Sequence, residues 1–235
     1  VESPESLAVR LSNRRTGVGS DGIVLIMPST IADAKMRMFN ADASEGKMCG
    51  NGTRCIAKYV YDNGLTDKTT ITLETLGGIK TIDMTVVDGK VTEAVVDMGE
   101  PIFRTKEIPM ISDHYVFMDQ GLIIDDDTVY NGTAISMGNP HFVIFVDDVD
   151  AVKLEEIGPR IENHPLFPER TNVEFVQVID ENTVKFRVWE RGSGETWACG
   201  TGACAVTVTC IFLRKTRKKD QELNVLVKGG KLKVT

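Results

Sequence analysis

"ACGTGAC" (residues 198–204) decides how this chain folds. A cysteine stands directly before Gly-x-Gly, where its side chain enters the first turn of whatever follows. The stretch "MCGNGTRC" (48–55) makes the same arrangement earlier. Sliding the chain along itself by 150 residues sets Arg37 on Arg187, Glu45 on Glu195, Cys49 on Cys199, Gly50 on Gly200 and Gly52 on Gly202. Each copy runs from a strand ("KMRMF", "VKFRVW") through a polar loop to Glu, three residues, Cys-Gly-x-Gly and a helix. The matches fall on residues with special chemistry or special backbone freedom, which marks an internal repeat.

The second of these segments, "GACAVTVTCIFLRK", is apolar nearly all round and carries β-branched residues at Val206, Thr207, Val208 and Thr209. Periodicity alone does not separate a buried helix from a strand there. Its twin does: Cys55, Ile56, Tyr59 and Val60 form a helical stripe that stops at Asn63-Gly64. Both segments are therefore expected as helices, the second wrapped by other elements because it is apolar on every side. The rest reads as strands. "TIDMTVV" and "KVTEAVVDM" flank Asp88-Gly89, "NVEFVQVI" and "TVKFRVWE" flank residues 180–182, and "LNVLVK" and "KLKV" flank Gly229-Gly230. These are antiparallel hairpin signals. "IVLIMP" (23–28) and "HFVIFVDD" (141–148) read as buried strands. The expected fold is α+β: two pseudo-symmetric domains, each a mainly antiparallel sheet wrapped around a central helix. They divide as 1–99, with Cys49, and 100–235, with Cys199, and the final strands are free to return to the first domain.

Composition narrows the function. A chain of 235 residues, 42% hydrophobic, buries a full core. A net charge of −7 argues against nucleic acid or an anionic membrane as partner. The apolar runs are too short to span a bilayer, and "VESPESLAVR" lacks the pattern of a signal peptide. Five unevenly placed cysteines do not make a disulfide framework and suit a reducing compartment, so a cytoplasmic location is expected and the two "NGT" stretches are discounted as glycosylation acceptors. Cys49–Cys55 and Cys199–Cys204 are spaced poorly for zinc, and the histidines are scattered at 114, 141 and 164, so no metal is expected. No lysine lies in a phosphate-binding context suited to pyridoxal phosphate. "GVGSDG" (17–22) fits a dinucleotide fingerprint, but a strand follows it where a helix belongs. No cofactor is expected.

A helix start bares N–H groups that carry partial positive charge, and it can hold a carboxylate or lower the pKa of a thiol placed there. Two such starts facing one another offer one carboxylate hole and two thiols. That equipment inverts an α-carbon: one thiolate takes the proton from one face, the opposite thiol returns one to the other, and the amides stabilise the charge that develops. Cys49 and Cys199 are the expected acid–base pair. Cys55, Cys204 and Cys210 read as small buried hydrophobes.

"FNADASEGKMCGNGTRC" (39–55), "MGNPH" (137–141), "PERTNVEF" (168–175) and "WERGSGETWACGTGACA" (189–205) resemble the diaminopimelate epimerase family, in its order and spacing. The resemblance implies a cofactor-independent epimerase that interconverts LL- and meso-diaminopimelate, for lysine and peptidoglycan precursors, with its characteristic fold. It implies Cys49 and Cys199 as the acid–base thiols, and Gly50, Asn51, Gly200 and Thr201 as the amides on the reacting carboxylate. It further implies Asn40, Asn139, Asn172, Glu190 and Arg191 as contacts to the substrate's amino and carboxylate groups, with His141 and Glu190 beside the reacting centre. A planar guanidinium at Arg191 suits a carboxylate, and Glu190 answers an ammonium. The expected partner is the small-molecule substrate, with a homodimer as the expected assembly and neither nucleic acid nor membrane. The family's opening strand and Gly-x-Gly-Asn do not precede "VESPESL", its last strands do not follow "KLKVT", Gly22 stands where some members carry glutamine, and Ala43 replaces a customary glycine. Two other readings compete: a proline or hydroxyproline racemase of the same fold, and a thiol-based redox or binding protein.

Overall fold

The computed structural model describes residues 3–216 and 221–235. The chain divides into two compact units, Val1–Met98 and Gly99–Thr235.

The first unit opens with helix α1 (Pro4–Ser12), which the sequence reading did not foresee. Its start is nevertheless written locally: Ser3 caps the helix by accepting from the Ser6 N–H, and a proline occupies the first turn. There follow β1 (Gly22–Met27), β2 (Ala34–Asn40), β3 (Glu45–Gly46), helix α2 (Gly50–Asp62), β4 (Thr70–Thr75), β5 (Gly78–Val87) and β6 (Lys90–Val96). The sheet order is β1-β2-β4-β5-β6, with β3 added to β2, and only β2–β4 is parallel. The apolar face of α2, Ile56, Ala57 and Val60, packs with Met36, Ile71, Leu73, Ile82 and Met84 of the sheet. β1 differs from expectation. It is the edge strand, and Val24, Ile26 and Met27 are each more than a third exposed, because an edge strand has a neighbour on one side only.

The second unit contains β7 (Gln120–Asp125), β8 (Thr128–Ser136), β9 (Pro140–Phe145), helix α3 (Leu154–Glu162), β10 (Asn172–Asp180), β11 (Thr183–Glu190), β12 (Gly194–Thr196), helix α4 (Gly200–Phe212), β13 (Leu223–Val227) and β14 (Gly230–Val234). The order is β14-β13-β11-β10-β9-β8-β7, with β12 added to β11. β9–β10 and β11–β13 are parallel and the other pairs antiparallel. The last two strands thus pair within this sheet. α4 is a helix despite its β-branched run, and it lies against β8, β9, β10, β13 and β14. Its Thr207 and Thr209 hydroxyls donate to the carbonyls of Ala203 and Ala205 at 2.8 Å, which satisfies them inside an apolar sheath. α3 closes a separate core with Phe142, Phe167, Val173 and Phe175.

The repeat is now structural. β1-β2-β4-β5 in one unit answers β10-β11-β13-β14 in the other, including the short strand added beside β2 and β11 and the parallel neighbour. Helices α2 and α4 both run 13 residues from the glycine after the cysteine. The fold is α+β, two sheet-dominated halves each built about one such helix.

Candidate active site

Both cysteines are helix caps. Cys49 and Cys199 have extended backbones, and the sulfur of each accepts the N–H of the third residue on, Gly52 and Gly202, at 3.3 Å. Serine or aspartate usually plays this part, and a thiol does so here because the Gly-x-Gly backbone closes tightly on it. A side chain at Gly52 would press on Val24 at 3.2 Å, and one at Gly202 on the Glu174 carboxylate at 2.7 Å. Gly50 and Asn51, and Gly200 and Thr201, fill the first helical turns, where N–H groups point out of the helix end. Asn51 also accepts from Arg54 through its side chain at 2.7 Å.

Two devices hold each cysteine loop, and they are the same in both units. Arg37 grips Glu45 with two bonds, at 2.7 and 3.0 Å, and Arg187 bonds Glu195 at 2.8 Å. These contacts hold both carboxyls below the usual carboxylate range. Two residues before each cysteine a carbonyl is fixed from a hairpin turn: the Gly77 N–H donates to Lys47 at 2.9 Å, and the Gly229 N–H to Trp197 at 2.7 Å. The next residue of each turn, Gly78 or Gly230, has positive φ, so each turn spends its Gly-Gly on this approach.

The electrostatics at Cys199 depart from expectation. The thiol is 5% exposed, and its pKa lies well above the ordinary thiol value. Burial is the main cause, followed by the negative charges of Glu190 and Glu174; the Thr201 hydroxyl at 3.4 Å and the Gly202 N–H pull the other way. The helix start alone was expected to lower this thiol, but desolvation and two carboxylates outweigh it.

The other expected site residues fall into clusters. His141 is fully buried between Glu174, 2.6 Å from its Nδ1, and Asn139, 3.0 Å from its Nε2. Asn172 ties two strand ends together: its Nδ2 donates to the Pro140 carbonyl at 2.8 Å and its Oδ1 accepts the Arg191 N–H at 2.8 Å. The Glu190 carboxylate accepts from Thr196 Oγ1, and the Arg191 guanidinium donates to the Glu169 carbonyl at 3.0 Å. Burial and the neighbouring Arg170 lower the Arg191 pKa. Asn40 belongs to the other unit, at the end of β2, where its Nδ2 donates to Ser44 Oγ at 2.9 Å.

Two residues were missed. Glu174 sits among buried neighbours in the middle of β10, and its signal was a lone carboxylate in an apolar run where the repeat has Val24. Glu162, 5% exposed on α3, accepts from Trp189 Nε1 at 2.7 Å, Arg170 at 3.0 Å and the Gly192 N–H at 2.9 Å. It fastens the turn that carries Glu190 and Arg191. Nothing local in "LEEIGPRIE" announces it, since Gly-Pro hides the helix.

Duplicated sheets, each sending a cysteine-capped helix from beside its β2-type strand, define a two-unit α+β fold that solved structures share. The fold is shared at 16% identity with a probable proline racemase from Agrobacterium radiobacter (TM-score 0.74, covering 97% of this chain and 70% of that one). It is shared at 15% identity with a hydroxyproline epimerase from Agrobacterium vitis (TM-score 0.69, covering 97% and 74%). The sequence is more specific: the diaminopimelate epimerase family profile matches residues 1–104 and 133–235. The diaminopimelate epimerase of Methanococcus maripaludis is 52% identical over 234 residues, all of this chain and 83% of that protein. That of Acetivibrio thermocellus is 53% identical over 232 residues, 99% and 81%. The chain belongs to the diaminopimelate epimerase family.

Proposed function

We propose that this protein is an isomerase that interconverts LL- and meso-diaminopimelate, with Cys49 and Cys199 as the two proton-transferring thiols. The observation that carries the reading is the matched pair of cysteine-capped helix starts, in a chain about half identical to named epimerases over its whole length. In one direction a thiolate takes the α-proton while the other thiol gives one to the opposite face; in the reverse direction the two exchange parts. The reaction needs one sulfur protonated and one not. Cys199, buried beside two carboxylates, is suited to hold the proton in the resting enzyme. The first-turn amides of Gly50, Asn51, Gly200 and Thr201 receive the carboxylate charge as the α-carbon loses its proton. Asn40, Asn139, Asn172, Glu190 and Arg191 read the amino and carboxylate groups, and His141 stands by the reacting centre. The proposed proton transfers run between the two thiols and the α-carbon and need no added cofactor.

Among the described residues no helix is long and apolar enough to cross a membrane. The odd, scattered cysteines support work in the cytoplasm, and a homodimer is the proposed assembly. The racemase reading draws support from the fold alone, since those structures are too distant in sequence to carry a substrate.

The test is incubation of the reduced protein with LL-diaminopimelate in D2O, with the α-proton followed by NMR. Loss of that signal with growth of the meso isomer, abolished by Cys49→Ala and by Cys199→Ala, is the expected result. Exchange on proline but not on diaminopimelate would overturn the substrate, and undiminished exchange in both variants would overturn the two thiols.

A further inference from the structure

Glu174 poses a question that the two-thiol reading leaves open. It is 0% exposed in the middle of β10, with one oxygen 2.6 Å from His141 Nδ1 and close under Gly202 at the start of α4. Its other oxygen is buried with no hydrogen-bond partner among the described residues. Burying a carboxylate so incompletely satisfied is costly. The repeat shows that the fold does not require it. At the matching place in the first unit, against Gly52, stands Val24, and the strand, the glycine and the cysteine cap all form around it. A hydrophobe therefore suffices for the structure, and the carboxylate is kept for another reason.

From this geometry we infer that Glu174 is a positioning residue of the reaction: it holds the His141 ring by its Nδ1–H and so assigns proton exchange to Nε2. His141 is on β9, the parallel neighbour of β10, and its paired residue Asn172 lies on the same face of the strand as Glu174. With Nδ1 committed to a carboxylate, Nε2 faces the acceptor Asn139 Oδ1 at 3.0 Å in the "MGNPH" turn, where the proposed function puts the substrate. A carboxylate behind a ring fixes its orientation and tautomer, as carboxylates behind metal-bound or catalytic imidazoles do. Two groups hold this ring: Glu174 from β10 at Nδ1 and Asn139 from the turn before β9 at Nε2.

The inference rests on the proposed function for its catalytic part, so the test has one arm that needs no substrate. The chain has three histidines, so the 15N spectrum of histidine-labelled protein resolves His141. In the wild type its Nδ1 is expected protonated and strongly hydrogen-bonded, and Glu174→Gln is expected to displace that resonance and weaken the bond. In the activity arm, Glu174→Gln and Glu174→Val are expected to lower kcat by roughly ten- to a hundredfold, the range for an outer-shell partner of a functional histidine, with KM within about twofold. The Gln variant should also shift the pH profile of kcat. Unchanged His141 resonances together with unchanged kcat in the Gln variant would overturn the inference, whether or not the Val variant folds. If the wild type shows no epimerase activity, the functional reading fails, and the NMR arm still decides whether Glu174 sets the His141 tautomer.

Discussion

Adding one methyl group at Gly158 is expected to damage the second unit more than a surface helix change ordinarily would. A Cβ there would lie 2.6 Å from both Cγ and Cδ2 of the Trp189 indole and 2.9 Å from its Cβ. Either α3 rises or the ring moves. The ring is tethered, because Nε1 donates to Glu162 at 2.7 Å, and Glu162 is committed to Arg170 and Gly192 as well. Overpacking of this kind costs ~1–3 kcal/mol, and losing a hydrogen bond to a buried charged group costs ~1.5–3 kcal/mol. Because movement of α3 relieves part of the clash, Gly158→Ala should destabilise by about 2–4 kcal/mol, lowering Tm by roughly 5–15 °C. Both tryptophans, Trp189 and Trp197, belong to this unit, so intrinsic fluorescence during a thermal ramp reports on it directly. Activity at a permissive temperature should fall too, since Glu190 and Arg191 follow Trp189 in the same turn. A Tm within about 1 °C of wild type with an unaltered emission spectrum would refute the packing argument, since the smallest cost considered above shifts Tm by more.

Three further outcomes are expected. Ala43 holds φ of 74°, a left-handed conformation that costs a non-glycine residue ~1–2 kcal/mol. Allowing for the extra freedom of glycine in the unfolded chain, Ala43→Gly should stabilise by about 0.5–1 kcal/mol in urea melts. Lys68, Thr72 and the Thr72 N–H hold the Asp33 carboxyl at about 2, below its ordinary 3.8. Its folded pKa is depressed, so its stabilisation is present above pH 3.8 and fades as pH falls toward about 2; Asp33→Asn should flatten that part of the acid-stability curve. Finally, iodoacetamide should label Cys199 slowly at neutral pH, with a rate that climbs above the pH at which ordinary thiols react, as peptide mapping would show. Fast labelling of Cys199 at pH 7 would contradict the electrostatics described for it.

The sequence disclosed most of the duplication because its landmarks are residues that few others can replace. Both cysteine caps have glycine one and three positions further along, and Arg37–Glu45 and Arg187–Glu195 keep the same spacing because the same tight turn joins each long strand to the short strand that carries the glutamate. The pattern likewise carried α4, whose local propensity favours strand, because its twin has a plain helical stripe. What escaped was set by tertiary contact. β1 reads as buried because it is apolar, yet whether a strand is central or at an edge depends on its neighbours. α3 contains Gly158-Pro159, which look like a break, and only the indole lying on Gly158 explains the glycine. Glu162 looks like an ordinary surface acid until its helix is packed, and Glu174 shows only as a lone carboxylate in an apolar run until its strand is paired. The lowered thiol expected at a helix start failed at Cys199 for the same reason, since the opposing carboxylates come from β10 and β11.

The hairpin glycines that fix Lys47 and Trp197 have a bearing on synthesis of the chain. Each cysteine loop receives its fixing bond from a residue made well after the cysteine itself, Gly77 for the first loop and Gly229 for the second. A ribosome that has passed the first hairpin has produced the residue that fixes the first loop. The second thiol waits for the β13–β14 turn. A nascent chain therefore gains the two fixing bonds one after the other, and proteolytic loss of the segment beyond Lys228 would leave the second loop held by Arg187–Glu195 without its carbonyl bond, while the first loop keeps both.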